Sequence, residues 1–368
     1  MSFQSHVVVN GAKPLFFYEN VLFFSRKNRV FSIAENGKKI PLVAFRQSLF
    51  RRYLDSFKLF YRAKRSGVRS SAVFDGSFYF SFDRKLYCYN VVQKSLSLEY
   101  AFKKGHGPLS YSIIEDIARF DDCLVYGEYY GNAEKNEISL FGKYRNGDWK
   151  KVYTFSSGLI DHVHNLVPDK YNDCVWILAG DFDQSASIWR ATDNFGYVEC
   201  VVSGKQIYRS CVAFPMSDGL LYATDSQLIE NSVRILKKSG ECYVSERVAS
   251  INGPAIYGTQ RNDYFIFSTS TEPEKVFGKR TLRAILASRP APCIKKNQSD
   301  LVALNKDTLT CTVLLSRVKD RWPYLLLEFG ALIFPSGTDG SNGLYFYSIG
   351  NKKNDLCTEY VDLSVLHN

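Results

Sequence analysis

Short runs of aromatic and β-branched residues, separated by polar turn residues, recur along almost the whole chain. Val175–Asp181, for example, reads Val-Trp-Ile-Leu-Ala-Gly-Asp and lies between two polar segments. Runs of this length and composition are typical of β-strands. They fall into sets of four at a spacing of roughly 40–60 residues, which is the signature of a repeat architecture.

Repeated four-stranded units are typical of a β-propeller, because each sheet can bury its faces only against its neighbours. We predict an all-β propeller with seven four-stranded blades that occupies residues 1–368 as a single domain. Six blades or a pair of β-sandwiches are the alternatives. In the sixth blade the third strand is predicted at Leu282–Ser288. The last blade is predicted from Tyr324–Phe329, Ala331–Pro335 and Leu344–Ile349, with Tyr360–Leu363 or Val7–Val9 completing the ring.

The segment 45–69 interrupts the strand pattern with apolar residues at helical spacing, from Leu49 to Tyr61. Its other face carries the basic residues Arg51, Arg52, Lys58, Arg62 and Arg65. We predict a basic amphipathic helical insertion. It either packs its apolar stripe across the propeller with a solvated basic face, or makes a peripheral contact with an anionic membrane.

A carboxylate closes the second strand of three consecutive units: Glu128, Asp181 and Asp225. Corresponding strand ends of a propeller share one face around the axis, so we expect these three side chains to converge at a funnel mouth. His162 and His164 lie two positions apart on a first strand and are therefore expected on one face. The other residues that first strands and adjoining turns would bring to this end are Tyr129, Gln206, Tyr208 and Arg209, with Glu115 or Asp116.

This set of side chains is suited to acid–base chemistry or to ligand binding. Glu128, Asp181 and Asp225 are candidate catalytic carboxylates, although an acidic residue at a strand end also commonly caps a turn. His162 and His164 would orient sugar hydroxyls or hold a divalent metal, for which the sequence fixes no third ligand. Otherwise we predict no cofactor. Arg209 would bind a substrate carboxylate, with Gln206, Tyr208 and Tyr129 as further substrate-binding residues.

Lysine and arginine number 47 and aspartate and glutamate 37, which gives a net charge of +10. A basic surface favours an anionic partner, but no nucleic-acid-binding module is recognisable, so nucleic acid is not the expected partner. No P-loop, GxGxxG, GxSxG or HExxH motif occurs. The nine cysteines form no CxxC pair, and no signal-peptide pattern is visible. We expect a reduced cytoplasmic protein, peripheral to the membrane if the insertion makes that contact.

The turns Tyr144–Trp149 and Ala191–Phe195 resemble degenerate forms of the Asp-box hairpin, S-x-D-x-G-x-x-W, of sialidase-like propellers. More broadly, Glu115–Pro335 resembles a group of bacterial sialidase-like propeller proteins associated with polysaccharide gene sets. The resemblance implies a propeller and a carbohydrate context. It does not carry over sialidase activity, because only Arg209 stands at a rim position where sialidases have an arginine triad, and the neighbours Glu128 and Tyr129 point opposite ways. Some propeller-type polysaccharide lyases use His with a metal or with Tyr and Arg, an outline that His162, His164, Tyr208 and Arg209 share.

The leading hypothesis is a carbohydrate-active protein that cleaves an acidic capsular or extracellular bacterial polysaccharide by glycosidase-like chemistry, with the carboxylates in acid and base roles. The alternatives are a polysaccharide lyase that uses His, Tyr and Arg, and a non-catalytic glycan-binding or scaffold protein of polysaccharide assembly. The sequence does not decide among them.

Overall fold

The computed structural model describes residues 3–145, 147–274, 282–286 and 289–367. Within these residues, strands form seven four-stranded antiparallel sheets, which confirms the predicted all-β, seven-bladed propeller. The chain divides into two compact units. Unit 1 comprises Met1–Val68 and Ile251–Asn368, and unit 2 comprises Arg69–Ser250.

Four sheets belong to unit 2, and in each of them the strands follow one another in up-and-down order. The first of these strands begins at Val68, which is assigned to unit 1, and continues into unit 2. Their strands are β6 (Val68–Phe74), β7 (Ser77–Phe82), β8 (Lys85–Asn90), β9 (Ser95–Ala101); β10 (Ser112–Ile114), β11 (Cys123–Gly127), β12 (Ile138–Tyr144), β13 (Trp149–Phe155); β14 (His162–Asp169), β15 (Cys174–Gly180), β16 (Ser187–Thr192), β17 (Tyr197–Ser203); and β18 (Ser210–Met216), β19 (Gly219–Thr224), β20 (Ser232–Ser239), β21 (Cys242–Ser250).

The other three sheets belong to unit 1. Their strands are β2 (Lys13–Tyr18), β3 (Val21–Arg26), β4 (Arg29–Ile33), β5 (Lys39–Ala44); β22 (Ala255–Arg261), β23 (Tyr264–Thr269), β24 (Gln298–Asn305), β25 (Cys311–Val318); and β26 (Ala331–Ile333), β27 (Gly343–Ile349), β28 (Cys357–Asp362), β1 (Ser5–Asn10). In the last sheet β1 pairs with β28, with His6 opposite Tyr360. Both strand candidates named for this sheet therefore take part, one from each end of the chain.

Sequence composition explains which strands lie inside each sheet. β7 and β15 are buried along their whole length and consist of aromatic, aliphatic and small residues, whereas the fourth strand β9 is mostly exposed. Sheets that are covered on both faces need such continuous apolar runs. The turn Asp75–Gly76 joins β6 to β7 with φ of 48° and 64°, the two positive values that a two-residue hairpin turn requires.

Two predicted strands are wrong. Tyr324–Leu327 forms a short helix, and Leu282–Ile285 forms another. The last part of the predicted Leu282–Ser288 strand, residues 287–288, lies outside the described residues. The third strand of that sheet is instead Gln298–Asn305, which pairs with β23 and β25. Leucine-rich runs of this length do not distinguish helix from strand by periodicity alone.

The insertion contains two short helices, α1 (Leu49–Leu54) and α2 (Lys58–Ala63), in place of one continuous amphipathic helix. Asp55 ends α1, and its amide donates to the carbonyl oxygen of Arg51. α3 (Leu282–Ile285) and α4 (Tyr324–Leu327) are shorter still. No helix in the described part of the chain combines the length and the apolar character needed to cross a bilayer.

Candidate metal centre

A cluster of polar side chains forms where β14, β15 and β18 of unit 2 come together. β14 begins with His162, β15 ends one residue before Asp181, and Arg209 directly precedes β18. Asp225 directly follows β19. The structure brings five of the predicted site residues into this cluster: His162, His164, Asp181, Arg209 and Asp225.

A β-bulge sets the direction of His164. The β14–β15 register passes from Val163 opposite Ala179 to Asn165 opposite Leu178, so His164 is the extra, unpaired residue. The β18–β19 register skips Cys211 in the same way. Bulges redirect side chains and are frequent beside functional sites. The direction of the His164 side chain therefore does not follow from the alternation of side chains along a regular strand, although the two histidines are in contact as predicted.

The two imidazole rings face each other with their tautomers fixed. Nδ1 of His162 lies 3.0 Å from the carbonyl oxygen of Tyr130, and Nδ1 of His164 lies 2.9 Å from that of Ser210. A carbonyl oxygen only accepts, so each Nδ1 donates, and each neutral ring presents its Nε2 lone pair. The two Nε2 atoms are 3.1 Å apart. Lone pairs at this distance repel each other unless a cation, either a proton or a metal ion, lies between them.

Oδ1 of Asp181 forms a triangle with the two Nε2 atoms. This oxygen lies 3.1 Å from Nε2 of His164 and 3.4 Å from Nε2 of His162. Metal–nitrogen bonds of about 2.1 Å place neighbouring ligand atoms about 3.0–3.4 Å apart in tetrahedral or octahedral coordination. All three edges fit this range. The donation of Nδ1 to a backbone carbonyl is also the usual outer-shell contact of a metal-binding histidine.

Arg209 compensates the negative charge of the cluster. Its Nη2 lies 3.2 Å from Oδ1 of Asp181 and 3.4 Å from Oδ2 of Asp225. Burial alone would raise the pKa of Asp181, but Arg209 and the two histidines outweigh it, and this pKa lies well below its usual range. Burial raises the pKa of the Asp225 carboxyl despite Arg209. Arg209 is itself only 5% exposed. Its position suits it to neutralise these two carboxylates, in contrast to the predicted binding of a substrate carboxylate.

Cys211 is a site residue that the sequence reasoning did not select. Its Sγ lies 3.2 Å from Oδ2 of Asp225, and His164, Cys211 and Asp225 form a second group whose ligand atoms would suit a metal ion. All three are buried. Its sequence position could have indicated this, because Cys211 is the second residue of β18 and lies two positions after Arg209.

Solvent reaches the cluster by way of Asp181. The side chain of Asp181 is 25% exposed, whereas those of His162 and His164 are 8% and 2% exposed. Tyr129 lies against His162, with ring centroids 4.6 Å apart, and the guanidinium carbon of Arg69 lies over the Tyr129 ring, 5.4 Å from its centroid. Burial raises the pKa of the Tyr129 hydroxyl, so the phenol keeps its proton at neutral pH.

Several predicted site residues lie elsewhere or have other partners. Glu128 is not part of the cluster: its Oε2 accepts a hydrogen bond of 2.8 Å from the amide of Ser139 in its own sheet. Glu115 belongs to an exposed network around Arg145, and Asp116 pairs with Lys170. The hydrogen bond from the Ser139 amide to Glu128 is a backbone-capping contact of the kind that carboxylates at strand ends often make.

Gln206 supports the cluster from the side. Its Nε2 donates to the carbonyl oxygen of Asp181 at 2.9 Å, and its Oε1 accepts from Ser226 at 2.8 Å. Tyr208 ends the same short 3-10 helix, Gln206–Tyr208, and is half-buried. Its amide donates to the carbonyl oxygen of Lys205.

The hairpin turns that resemble Asp-boxes do join third to fourth strands. Ala191–Phe195 connects β16 to β17, and Asp193 and Asn194 there contact Arg119 and Asp121. The other turn connects β12 to β13, and its Asn146 lies outside the described residues.

No protein-family model matches the sequence, so none supports the sialidase-like resemblance, and no curated protein matches it either. Solved structures do show the same fold. An oligogalacturonate lyase from Vibrio parahaemolyticus aligns over 100% of this chain and 99% of its own, with 10% identity and a TM-score of 0.56. An oligogalacturonate lyase in complex with manganese aligns over 98% and 96%, with 10% identity and a TM-score of 0.57. The AfRom2 CNH domain aligns over 97% and 98%, with 5% identity and a TM-score of 0.54.

These comparisons agree on a propeller fold that spans the whole chain. At such low identity they establish the fold and not the activity. Among the neighbours are enzymes named for the degradation of an acidic oligosaccharide, one of them solved with manganese. The described residues of this chain likewise contain side-chain groups that suit a metal ion.

Proposed function

We propose that this protein is a metal-dependent lyase that cleaves an acidic oligosaccharide. The observation that carries the proposal is the triangle of His162 Nε2, His164 Nε2 and Asp181 Oδ1, in which two fixed lone pairs and a carboxylate converge on one point. His162, His164 and Asp181 would hold the ion. The bound ion would supply positive charge to a substrate carboxylate and so acidify the adjacent C–H bond.

The overall reaction is a β-elimination at a uronate-type sugar. A base removes the proton from the carbon beside the carboxylate, the C–O bond to the neighbouring sugar breaks, and a C=C bond forms. The departing oxygen takes up a proton, which leaves one unsaturated and one saturated sugar end. Tyr129, which keeps its proton and lies beside His162, is the proton donor that we assign to the departing oxygen.

Elimination accounts for the site better than glycoside hydrolysis does. Hydrolysis uses two carboxyl groups that both face the sugar, one protonated and one ionised. Glu128 is half-buried but its carboxylate is bonded to the amide of Ser139 outside the cluster, and Asp225 is 2% exposed. Asp181 is therefore the one of the three predicted carboxylates that both belongs to the cluster and meets solvent. The basic charge of the chain and the acidic oligosaccharide in the names of the neighbours support an anionic substrate.

The test separates metal binding from turnover. Purified protein is stripped with a chelator and titrated with Mn²⁺ by calorimetry, and is then incubated with oligogalacturonate and other uronate-containing oligosaccharides. We expect one bound ion per chain and a rise in near-ultraviolet absorbance from the unsaturated product. Asp181→Asn should lose both while circular dichroism shows that the variant remains folded. Glu128→Gln, a matched carboxylate-to-amide change outside the cluster, should keep both.

Other results of this experiment would indicate a different function. Metal binding without cleavage of any acidic glycan would replace the lyase with a metal-dependent glycan-binding protein. Absence of both would refute the proposed function. Cleavage without an absorbing product would favour hydrolysis.

A further inference from the structure

The helical insertion of unit 1 carries an exposed apolar patch, which we define as Leu49, Phe50, Tyr53 and Phe57. These side chains are 78%, 72%, 63% and 51% exposed. Leu49 and Tyr53 are four positions apart and so share one face of α1, and the rings of Tyr53 and Phe57 contact each other with centroids 5.2 Å apart. Single exposed apolar residues are ordinary, but such a concentration marks an interaction surface.

Polar contacts, not the apolar patch, hold the insertion on its own unit. Within the insertion, the buried carboxylate of Asp55 accepts hydrogen bonds from Gln47, Arg51 and Ser66. Contacts to the rest of unit 1 come from Arg62, which is fully buried and is paired with Asp320 and Asp355. One of the two arrangements predicted from the sequence was an apolar stripe facing the core with a solvated basic face; the other was a peripheral contact with an anionic membrane. The structure has the reverse of the first arrangement at Leu49, Phe50 and Arg62.

A basic cavity adjoins the patch. It has a volume of about 530 Å³ and is lined by Arg29, Arg46 and Arg52, together with Asn28, Gln47 and Ser48. No acidic side chain is among its lining residues, and none of its three arginines forms an ion pair within the described residues. Arg52 stands on α1 between Phe50 and Tyr53, so the cavity and the patch are parts of one surface.

We propose that this surface docks on a bilayer that contains anionic phospholipid. Arg29, Arg46 and Arg52 bind the phosphate of a headgroup, for which guanidinium groups are well suited. The patch enters the boundary between headgroups and acyl chains, as the apolar face of an interfacial helix does. An anionic bilayer offers both chemistries side by side, and this charge complementarity selects it over an uncharged apolar partner. No residue of the metal centre takes part, so this proposal is independent of the proposed lyase activity.

The test uses the full chain and sedimentation with vesicles at low salt. Vesicles of phosphatidylcholine mixed with phosphatidylglycerol should bind the protein, vesicles of phosphatidylcholine alone should bind it weakly, and added salt should release it. Loss of the three cavity arginines should weaken binding about 100-fold, and loss of Leu49 and Phe50 about tenfold. The two test variants are Arg29→Gln/Arg46→Gln/Arg52→Gln and Leu49→Ser/Phe50→Ser.

Matched controls alter the same chemistry at other exposed positions. They are Lys94→Gln/Lys352→Gln/Lys353→Gln, which removes three positive charges, and Val92→Ser/Tyr171→Ser, which removes two exposed apolar side chains. Both controls should bind vesicles within about twofold of the parent, because neither alters the cavity or the patch. Circular dichroism melting checks that every variant remains folded.

Several results would overturn the proposal. One is failure of the parent protein to bind anionic vesicles, and another is equal loss of binding in the lysine control. A third is saturable binding of glycerol phosphate that requires the three arginines, without any vesicle binding. A fourth is a dimer in light scattering that Leu49→Ser/Phe50→Ser converts to a monomer, which would make a second copy of the chain the occupant.

Discussion

The ring of His164 occupies the space that a side chain at Gly180 would need. A Cβ added at position 180 would lie 2.2 Å from Cε1 and 2.6 Å from Nε2 of His164. Gly180 is the last residue of β15 and lies opposite His162 in the sheet register. The absence of a side chain at this position thus gives the His164 ring its place in the candidate metal centre.

Gly180→Ala should disable the site while the fold survives. The new methyl group must displace the His164 ring, and overpacking of this kind costs about 1–3 kcal/mol. Calorimetry with Mn²⁺ should show weakened or absent binding, and urea unfolding should show a loss of stability within that range. The comparison variant is Gly131→Ala, where an added Cβ would have no neighbour within 4 Å. Unchanged metal affinity in Gly180→Ala would show that His164 is not a ligand.

Arg62→Met should be among the most destabilising single changes in unit 1. The Arg62 side chain is 0% exposed, lies 2.5 Å from Asp320 and 3.2 Å from Asp355, and donates to the carbonyl oxygen of Leu327. Removal of one partner from a buried ion pair leaves an uncompensated charge and costs about 3–5 kcal/mol. Urea unfolding measures this loss.

The matched control for Arg62 is Lys58→Met, which removes a second partner of Asp355. Lys58 lies 2.9 Å from Asp355, but its side chain is 55% exposed. Exposed pairs contribute about 0–1 kcal/mol, so this variant should unfold close to the parent. Similar losses in the two variants would contradict the assignment of Arg62 as a buried anchor.

Glu328 should make unit 1 less stable as the pH rises toward neutrality. Burial raises the pKa of Glu328 to about 7 from its ordinary value of 4.5, although Arg65 and Arg62 oppose this. A carboxyl with a raised pKa binds its proton more tightly in the folded state. Its favourable contribution is complete below about pH 4.5 and is lost as the pH rises through about 7.

Glu328→Gln isolates this contribution, because glutamine mimics the protonated carboxyl at every pH. We expect the variant and the parent to have similar free energies of unfolding near pH 4.5. Above neutrality the variant should be the more stable by no more than about 3 kcal/mol. Denaturant titrations across this range test the prediction, and parallel pH profiles for the two proteins would refute it.

Much of the architecture was predictable because strand composition and turn residues are local signals. The blades were predicted from consecutive sets of four strands. The proximity of Asp181 and Asp225 to the histidines was predicted from their equivalent positions at strand ends. The same reasoning failed for Glu128, since a position in a strand does not specify the hydrogen bond that turns its carboxylate to Ser139. The bulge that directs His164 is likewise a matter of register between two strands and has no signature within one of them.

The insertion shows why periodicity did not reveal which face is buried. Apolar residues at helical spacing normally indicate a face that packs on a core. Here the decisive partners of Arg62 are 258 and 293 residues away in sequence, at Asp320 and Asp355. Only the folded chain brings those carboxylates to α2, so the burial of an arginine and the exposure of Leu49 and Phe50 could not be predicted from the local pattern.

The pairing of β1 with β28 has a consequence for biosynthesis. Asn10 of β1 lies opposite Cys357, so β1 needs a partner that is translated 347 residues later. At about 5–20 residues per second, the N-terminal strand waits roughly 20–70 s for that partner. During this interval its backbone N–H and C=O groups present an unpaired edge, which is a template for misassociation with other chains. Every nascent copy that stalls before residue 357 therefore keeps this edge open, and the sheet is completed only after β28 has been translated.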